Sequence, residues 1–246
     1  MDWNGVRLAW GAAAALLVGF SKTGVPGAAI PAVALMAEAF RSDTRLSVGA
    51  MLPVLLVGDA FAILFYRRHA QWNRLGELAP FVALGMVPGY IVLGTVDSDA
   101  LRMLLGMIVL VLLGLHLLSR RWGTDFLANH SGFGPAAGLV AGFGTAVGNA
   151  AGPVMSIYLV SRKLDKHQFM GTAAWFFAIV NLSKVPVFGG MGLITTETLR
   201  LDGLVVPVVV AGAFLGAAVL KRIPQLAFDV LVLLLAGAAG LRLVLT

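Results

Sequence analysis

The sequence predicts an all-α integral membrane protein made of two inverted-topology repeats, each a broken, re-entrant helical hairpin followed by three transmembrane helices. Three observations carry that fold class. Hydrophobic residues make up 59% of the 246 residues and charged residues only 12%, with mean hydropathy +0.91, whereas a water-soluble domain is roughly 25% charged and about 45–50% apolar. Apolar runs of ~20 residues, the length that spans a bilayer, recur between charged or turn-rich breaks. Small residues and prolines also recur at fixed offsets in the two halves.

Segment 6–40 is apolar but too long for one ordinary span, and it is interrupted at Ser21-Lys22-Thr23-Gly24-Val25-Pro26-Gly27. It reads as the first hairpin. Asp2 and Arg7 frame this apolar stretch poorly for a cleavable signal, so none is expected. Clean spans follow at 46–66, 78–96 and 100–118, and then the polar linker Ser119-Arg120-Arg121-Trp122-Gly123-Thr124-Asp125. Segment 132–161, broken between Gly144 and Gly152, is the second hairpin, and spans 167–189, 203–220 and 225–245 complete the chain. Non-helical backbone at membrane depth is tolerated only where protein or a wet cavity satisfies its polar groups, so both breaks are expected to line something.

Pro80, Gly85 and Gly89 recur as Pro207, Gly212 and Gly216 at an offset of 127, and Pro31, Gly49 and Asp59 align with Pro153, Gly171 and Asn181 at an offset of 122. A short insertion between helices reconciles the two registers; chance in a chain with 30 glycines is the competing explanation. The division is a first repeat at 1–119, a cytoplasmic linker at 120–130 and a second repeat at 131–246.

Charge sets the orientation. If each hairpin returns to its own side, one side collects Arg67, Arg68, Arg74, Arg120, Arg121, Arg162, Lys163, Lys166, Lys221 and Arg222. The other holds Arg7, Arg41, Arg45, Arg102, Arg200 and Arg242, diluted by the loop acids Glu38, Asp43, Asp97, Asp99, Glu197 and Asp202, and Lys22 and Lys184 remain within the membrane. Loops rich in Lys and Arg mark the cytoplasm, so both termini are expected outside, in the plasma (inner) membrane. The same basic loops account for the formal charge of +6 without a nucleic-acid partner.

The hairpin tips near Lys22 and Asn149 are then expected to enter from opposite faces and meet near the midplane. Each second half-helix would aim unpaired N–H groups and the positive end of its dipole at that point, which makes an anion site. Thr23 and Asn149 are suitable N-caps, Pro26 fits a first helical turn, and the glycines admit a ligand or, on the competing reading, allow close helix packing. The expected substrate-binding residues are Lys22, Thr23, Gly24, Gly148, Asn149, Asn181, Ser183 and Trp175, with Lys184 as a second cation or a snorkelling lysine. A lysine at membrane depth is a site hypothesis by default. Asp59, midway through its span, either pairs with Lys22 or couples proton movement. No catalytic, metal or cofactor site is expected: there is no cysteine, no zinc helix, nucleophile elbow or phosphate loop, and the four histidines, at 69, 116, 130 and 167, show no metal spacing.

The Gly19-Phe20 approach to the first break, with Gly24, Gly27 and Pro31, is copied as Gly142-Phe143, Gly148, Gly152 and Pro153, and the next helices begin Gly49-Ala50-Met51 and Gly171-Thr172-Ala173. In these features nearly the whole chain resembles the sulfite exporter TauE/SafE family of membrane permeases, although Lys22, Pro26 and Asn149 depart from its glycine-richer hairpins. The resemblance implies a permease for a small sulfur-containing anion such as sulfite, thiosulfate, sulfoacetate or another organosulfonate, driven by an ion gradient. Alternating access, the lipid bilayer as solvent and a homodimer are the expectations that go with it. The competing classes are a passive anion channel on the same site and a non-transporting membrane assembly factor for sulfur metabolism.

Overall fold

The computed structural model describes residues 5–24, 29–122, 132–162, 164 and 166–219, with isolated positions 234, 238, 241, 244 and 245. Among these residues every regular element is a helix. The first hairpin is α1 (Gly5–Thr23) and α2 (Ile30–Ala39), followed by α3 (Thr44–Tyr66), which ends in a 3-10 turn at Arg67–His69, then α4 (Trp72–Thr95) and α5 (Ser98–Trp122). The second hairpin is α6 (Phe133–Gly148) and α7 (Gly152–Ser161), followed by α8 (Lys166–Gly190) and α9 (Thr196–Val219). Span 225–245, the break residues Val25, Pro26 and Gly27, and the linker from Gly123 lie outside the described residues.

Among the described residues four helices are long and apolar enough to cross a membrane, at Thr44–His69, Trp72–Thr95, His167–Gly190 and Thr196–Val219. The helices α4 and α9 begin six or seven residues before the apolar runs at 78 and 203. Charged residues fill those first turns (Arg74 and Glu77; Glu197, Arg200 and Asp202), so the hydrophobic run starts later than the helix. Prolines at 53, 80, 88, 186 and 207 lie inside helices, as membrane helices tolerate.

Small residues decide which helices touch. A Cβ at Gly19 would run into the backbone of Val209 and Ala213, one at Gly212 into Leu16, and one at Gly216 into Phe20, so α1 lies directly against α9. In the second half a Cβ at Gly142 would strike Val82 and Met86, one at Gly85 Leu139, and one at Gly89 Phe143 and Ala146, so α6 lies directly against α4. Leu16, Gly19 and Phe20 precede Leu139, Gly142 and Phe143 by 123 residues, and Val82, Gly85 and Gly89 precede Val209, Gly212 and Gly216 by 127. Each hairpin thus packs its first arm on a helix of the other half, and numbering rises along both partners, so each pair runs parallel. Lipid tails are as apolar as leucine, so helices associate through close backbone packing of this kind.

The helices α3 and α8 cross between these two pairs and run antiparallel: Gly49 meets Leu193 just past the end of α8, Asp59 meets Asn181, and Gly171 meets Tyr66 and His69. Burial is deepest here and along α1, α2 and α9; a second apolar cluster fills the space among α4, α6, α7 and α8.

Candidate functional site

The crossing of α3 and α8 is polar at its centre. Asn181 Nδ2 donates to Asp59 Oδ2 at 2.6 Å, joining the two residues that the 122-residue offset aligns, and each is only 1% exposed. Lys22, from the last turn of α1, brings Nζ to 2.6 Å from Asp59 Oδ1 and lies 4.0 Å over the Phe177 ring. A carboxylate sunk in hydrocarbon costs several kcal/mol; here an ammonium and an amide both meet it, and the aromatic face covers the ammonium.

One turn beyond Asn181 stands Lys184, fully buried. Its Nζ donates to Asn149 Oδ1 at 2.5 Å, to Thr145 Oγ1 at 3.0 Å and to the Thr145 carbonyl at 3.3 Å, and it sits 5.7 Å from the Phe188 ring centroid. All three partners are neutral oxygens of the second hairpin. Asn149 closes α6 in a left-handed turn (φ 55°), a conformation its short polar side chain tolerates. Its Nδ2 donates to the Val48 carbonyl of α3 at 3.0 Å. Thr145 occupies the place of Lys22 at the 123-residue offset, so each half contributes one buried lysine, from the hairpin in the first and from the spanning helix in the second.

Tyr90 adds a third feature. Its ring meets Phe188 edge-on, with centroids 6.2 Å apart, and its buried hydroxyl has no hydrogen-bond partner among the described residues. Lys184 and Tyr90 thus flank Phe188 with an ammonium that touches no carboxylate among the described residues and a hydroxyl left to donate.

The structure brings Lys22, Asp59, Asn181, Lys184 and Asn149 to the crossing but arranges the hairpins differently from the sequence reading. The ends of the first arms do not meet. Thr23 accepts through its carbonyl from Tyr66 Oη at 2.8 Å, whereas Asn149 reaches Val48; positions 48 and 66 are ~27 Å apart along α3. The first arms, 19 and 16 residues long, end at opposite ends of α3, so the lysine side chains rather than the tips reach the crossing.

Neither Thr23 nor Asn149 is an N-cap. Thr23 Oγ1 donates to the Ala213 and Gly19 carbonyls at 2.6 and 3.3 Å, tying the end of α1 to α9, and Gly24 N–H is taken by the Phe20 carbonyl at 2.8 Å. The amides of Asn149 and Ala150 are likewise spent on Thr145 and Gly144. Gly24 serves helix packing, since a Cβ there would meet Gly216; Gly148 is buried as the last residue of α6. Ser183 is exposed and donates to its own helix at Val180, and Trp175 points to the Arg67 carbonyl at the membrane edge, stacked on Trp72. Among the described residues no group of three or more metal-binding side chains forms. Thr145, Phe177, Tyr90 and Tyr66 complete the arrangement; of these, the repeat register signals only Thr145.

The family model described as sulfite exporter TauE/SafE matches residues 8–243, nearly the whole chain. No curated protein and no solved structure matches.

Proposed function

The chain belongs to the sulfite exporter TauE/SafE family, and from that premise we propose that this multi-pass membrane protein is a permease carrying a small sulfur oxyanion or organosulfonate across the plasma membrane by alternating access. The observation that carries the reading is Lys184, an ammonium buried at the crossing and hydrogen-bonded, among the described residues, only to the neutral oxygens of Thr145 and Asn149. With Lys22 matched by Asp59, the crossing holds two cations and one carboxylate. An anion beside Lys184 balances the charge, and oxygens on sulfur accept from Lys184 and from the Tyr90 hydroxyl. Asn149 and Asn181 complete the wall, while Lys22 and Asp59 hold α1 to the crossing.

The two halves are inverted repeats in this reading. Antiparallel α3 and α8, carrying the aligned pair Asp59 and Asn181, support it, as do the matched α1–α9 and α6–α4 interfaces. Those two interfaces are welded by backbone contact, so each pair moves as a unit, and alternating access swings the units about the α3–α8 crossing. Arg67, Arg68, Arg74 and Arg162 gather at one end, where Glu77 bonds Arg74 and Tyr158 and pairs with Arg162. That end is assigned to the cytoplasm and both termini to the outside.

Thermal unfolding of the purified protein with sulfite, thiosulfate, sulfoacetate, taurine, sulfate and chloride tests the reading. A ligand confined to the folded state adds about 2.7 kcal/mol at ~100 times its Kd. Stabilisation by a sulfur oxyanion or sulfonate alone, lost in Lys184→Gln, is the expected result. Equal shifts in wild type and variant remove Lys184 from the site, and entry of sulfite into proteoliposomes without counterflow replaces the permease with a channel.

A further inference from the structure

A second buried carboxyl group lies within a helix long and apolar enough to span a membrane and takes no part in the crossing. Asp202 stands in the second turn of α9, on the inward stripe of Thr198, Leu201, Val205 and Val209. At the same depth the outward face presents Leu199 and Leu204, both largely exposed. Asp202 itself is 3% exposed, and both of its carboxyl oxygens are buried without a hydrogen-bond partner among the described residues. The contrast with Asp59, which is met by Lys22 and Asn181, is direct.

Among the described residues no cation comes within ion-pair distance of Asp202. The elements packed along α9 are α1, with Arg7 and Lys22, and α3, with Arg45, Asp59 and Tyr66; α9 itself adds Glu197 and Arg200. A Cβ on Gly11 of α1 would meet Leu201. Arg7 therefore lies one turn toward the start of α1 from the level of Asp202, and Lys22 lies ~16 Å deeper, committed to Asp59. An ionised carboxylate with neither hydrogen bond nor partner in this setting costs several kcal/mol, and the inexpensive alternative is to carry a proton.

We propose that Asp202 is the proton-carrying residue that couples anion movement to the proton gradient. It holds a proton in the closed conformation and exchanges it with water when the α1–α9 unit moves, taking it up at one membrane face and giving it back at the other. The coupling role rests on the permease reading; the bound proton does not.

The test uses the full chain in proteoliposomes with sulfite as probe. Infrared spectra at neutral pH are expected to show a protonated-carboxyl C=O band that Asp202→Asn lacks and Asp59→Asn keeps. Asp202→Asn is expected to retain sulfite–sulfite exchange and to lose accumulation driven by a pH gradient, while Asp202→Glu keeps both. Survival of the band in Asp202→Asn overturns the proposal, as does accumulation in wild type that follows a sodium gradient at equal pH, or joint loss of exchange and accumulation in Asp202→Asn. If the wild-type protein moves none of sulfite, thiosulfate, sulfoacetate and taurine, the permease reading falls, and the infrared arm still decides whether Asp202 holds a proton.

Discussion

The two halves hold their buried lysines in opposite ways. In the first, the hairpin carries the cation and the spanning helix the carboxylate, Lys22 against Asp59 at 2.6 Å. In the second, the spanning helix carries the cation and the hairpin offers only Thr145 and Asn149. Three aligned positions differ, Lys22 with Thr145, Asp59 with Asn181 and Ala62 with Lys184, and they leave one lysine matched by a carboxylate and the other among neutral groups. On the permease reading the first arrangement is a clamp and the second a receptor, set on like helix packing.

Breaking the clamp has the largest expected effect. Asp59→Ala leaves Lys22 buried without a partner, a loss of about 3–5 kcal/mol of stability, read from unfolding of the purified protein in detergent. The double variant Asp59→Leu with Lys22→Met recovers most of it; equal instability of the single and double variants would show that the pair is not coupled. The receptor responds in the opposite sense. Lys184→Gln removes no ion pair, so folding is kept, but a charge-assisted hydrogen bond of about 1.5–3 kcal/mol to the anion is lost. Titration of sulfite against both lysine variants separates the roles, with the drop in affinity expected to be larger in Lys184→Gln than in Lys22→Gln.

The packing interfaces sharpen the comparison by being alike where the lysines differ. Gly19→Ala and Gly142→Ala each push a methyl group into backbone, and each is expected to cost about 1–3 kcal/mol. Gly114→Ala, where no atom lies within 4 Å, serves as the silent control. A cost confined to one of the two interfaces would end their equivalence. The smallest effect belongs to Tyr66→Phe, which removes the bond to the Thr23 carbonyl for about 0.5–1.5 kcal/mol of stability, with sulfite affinity unchanged.

The spans at 46–66, 78–96, 167–189 and 203–220 were legible because run length in hydrocarbon is a direct consequence of bilayer thickness, and the helix pairings were prefigured in glycines that recur at one offset. The alignment of Asp59 with Asn181 was legible, but their hydrogen bond was not, since an offset relates two positions without placing them in contact. Other features had no such signal. A threonine or asparagine beside a break can close the helix before it as well as open the one after it, and both Thr23 and Asn149 do the former. Ser183 sits two residues from Asn181, about 200° around the helix, so it faces outward while Lys184 and Phe188 share the inner side. Asp202 read as part of a charged loop because composition marks where hydrophobicity starts, and α9 starts seven residues earlier.

The crossing of hairpins onto foreign halves has a consequence for biogenesis. When the ribosome has delivered only the first half, the glycine face of α1 has no α9 to lie against, and the matching face of α4 awaits α6. Neither half can complete its own packing, so assembly waits for the last spanning segments to be inserted, and two fragments cut at the linker reach the native arrangement only when made together in the same membrane.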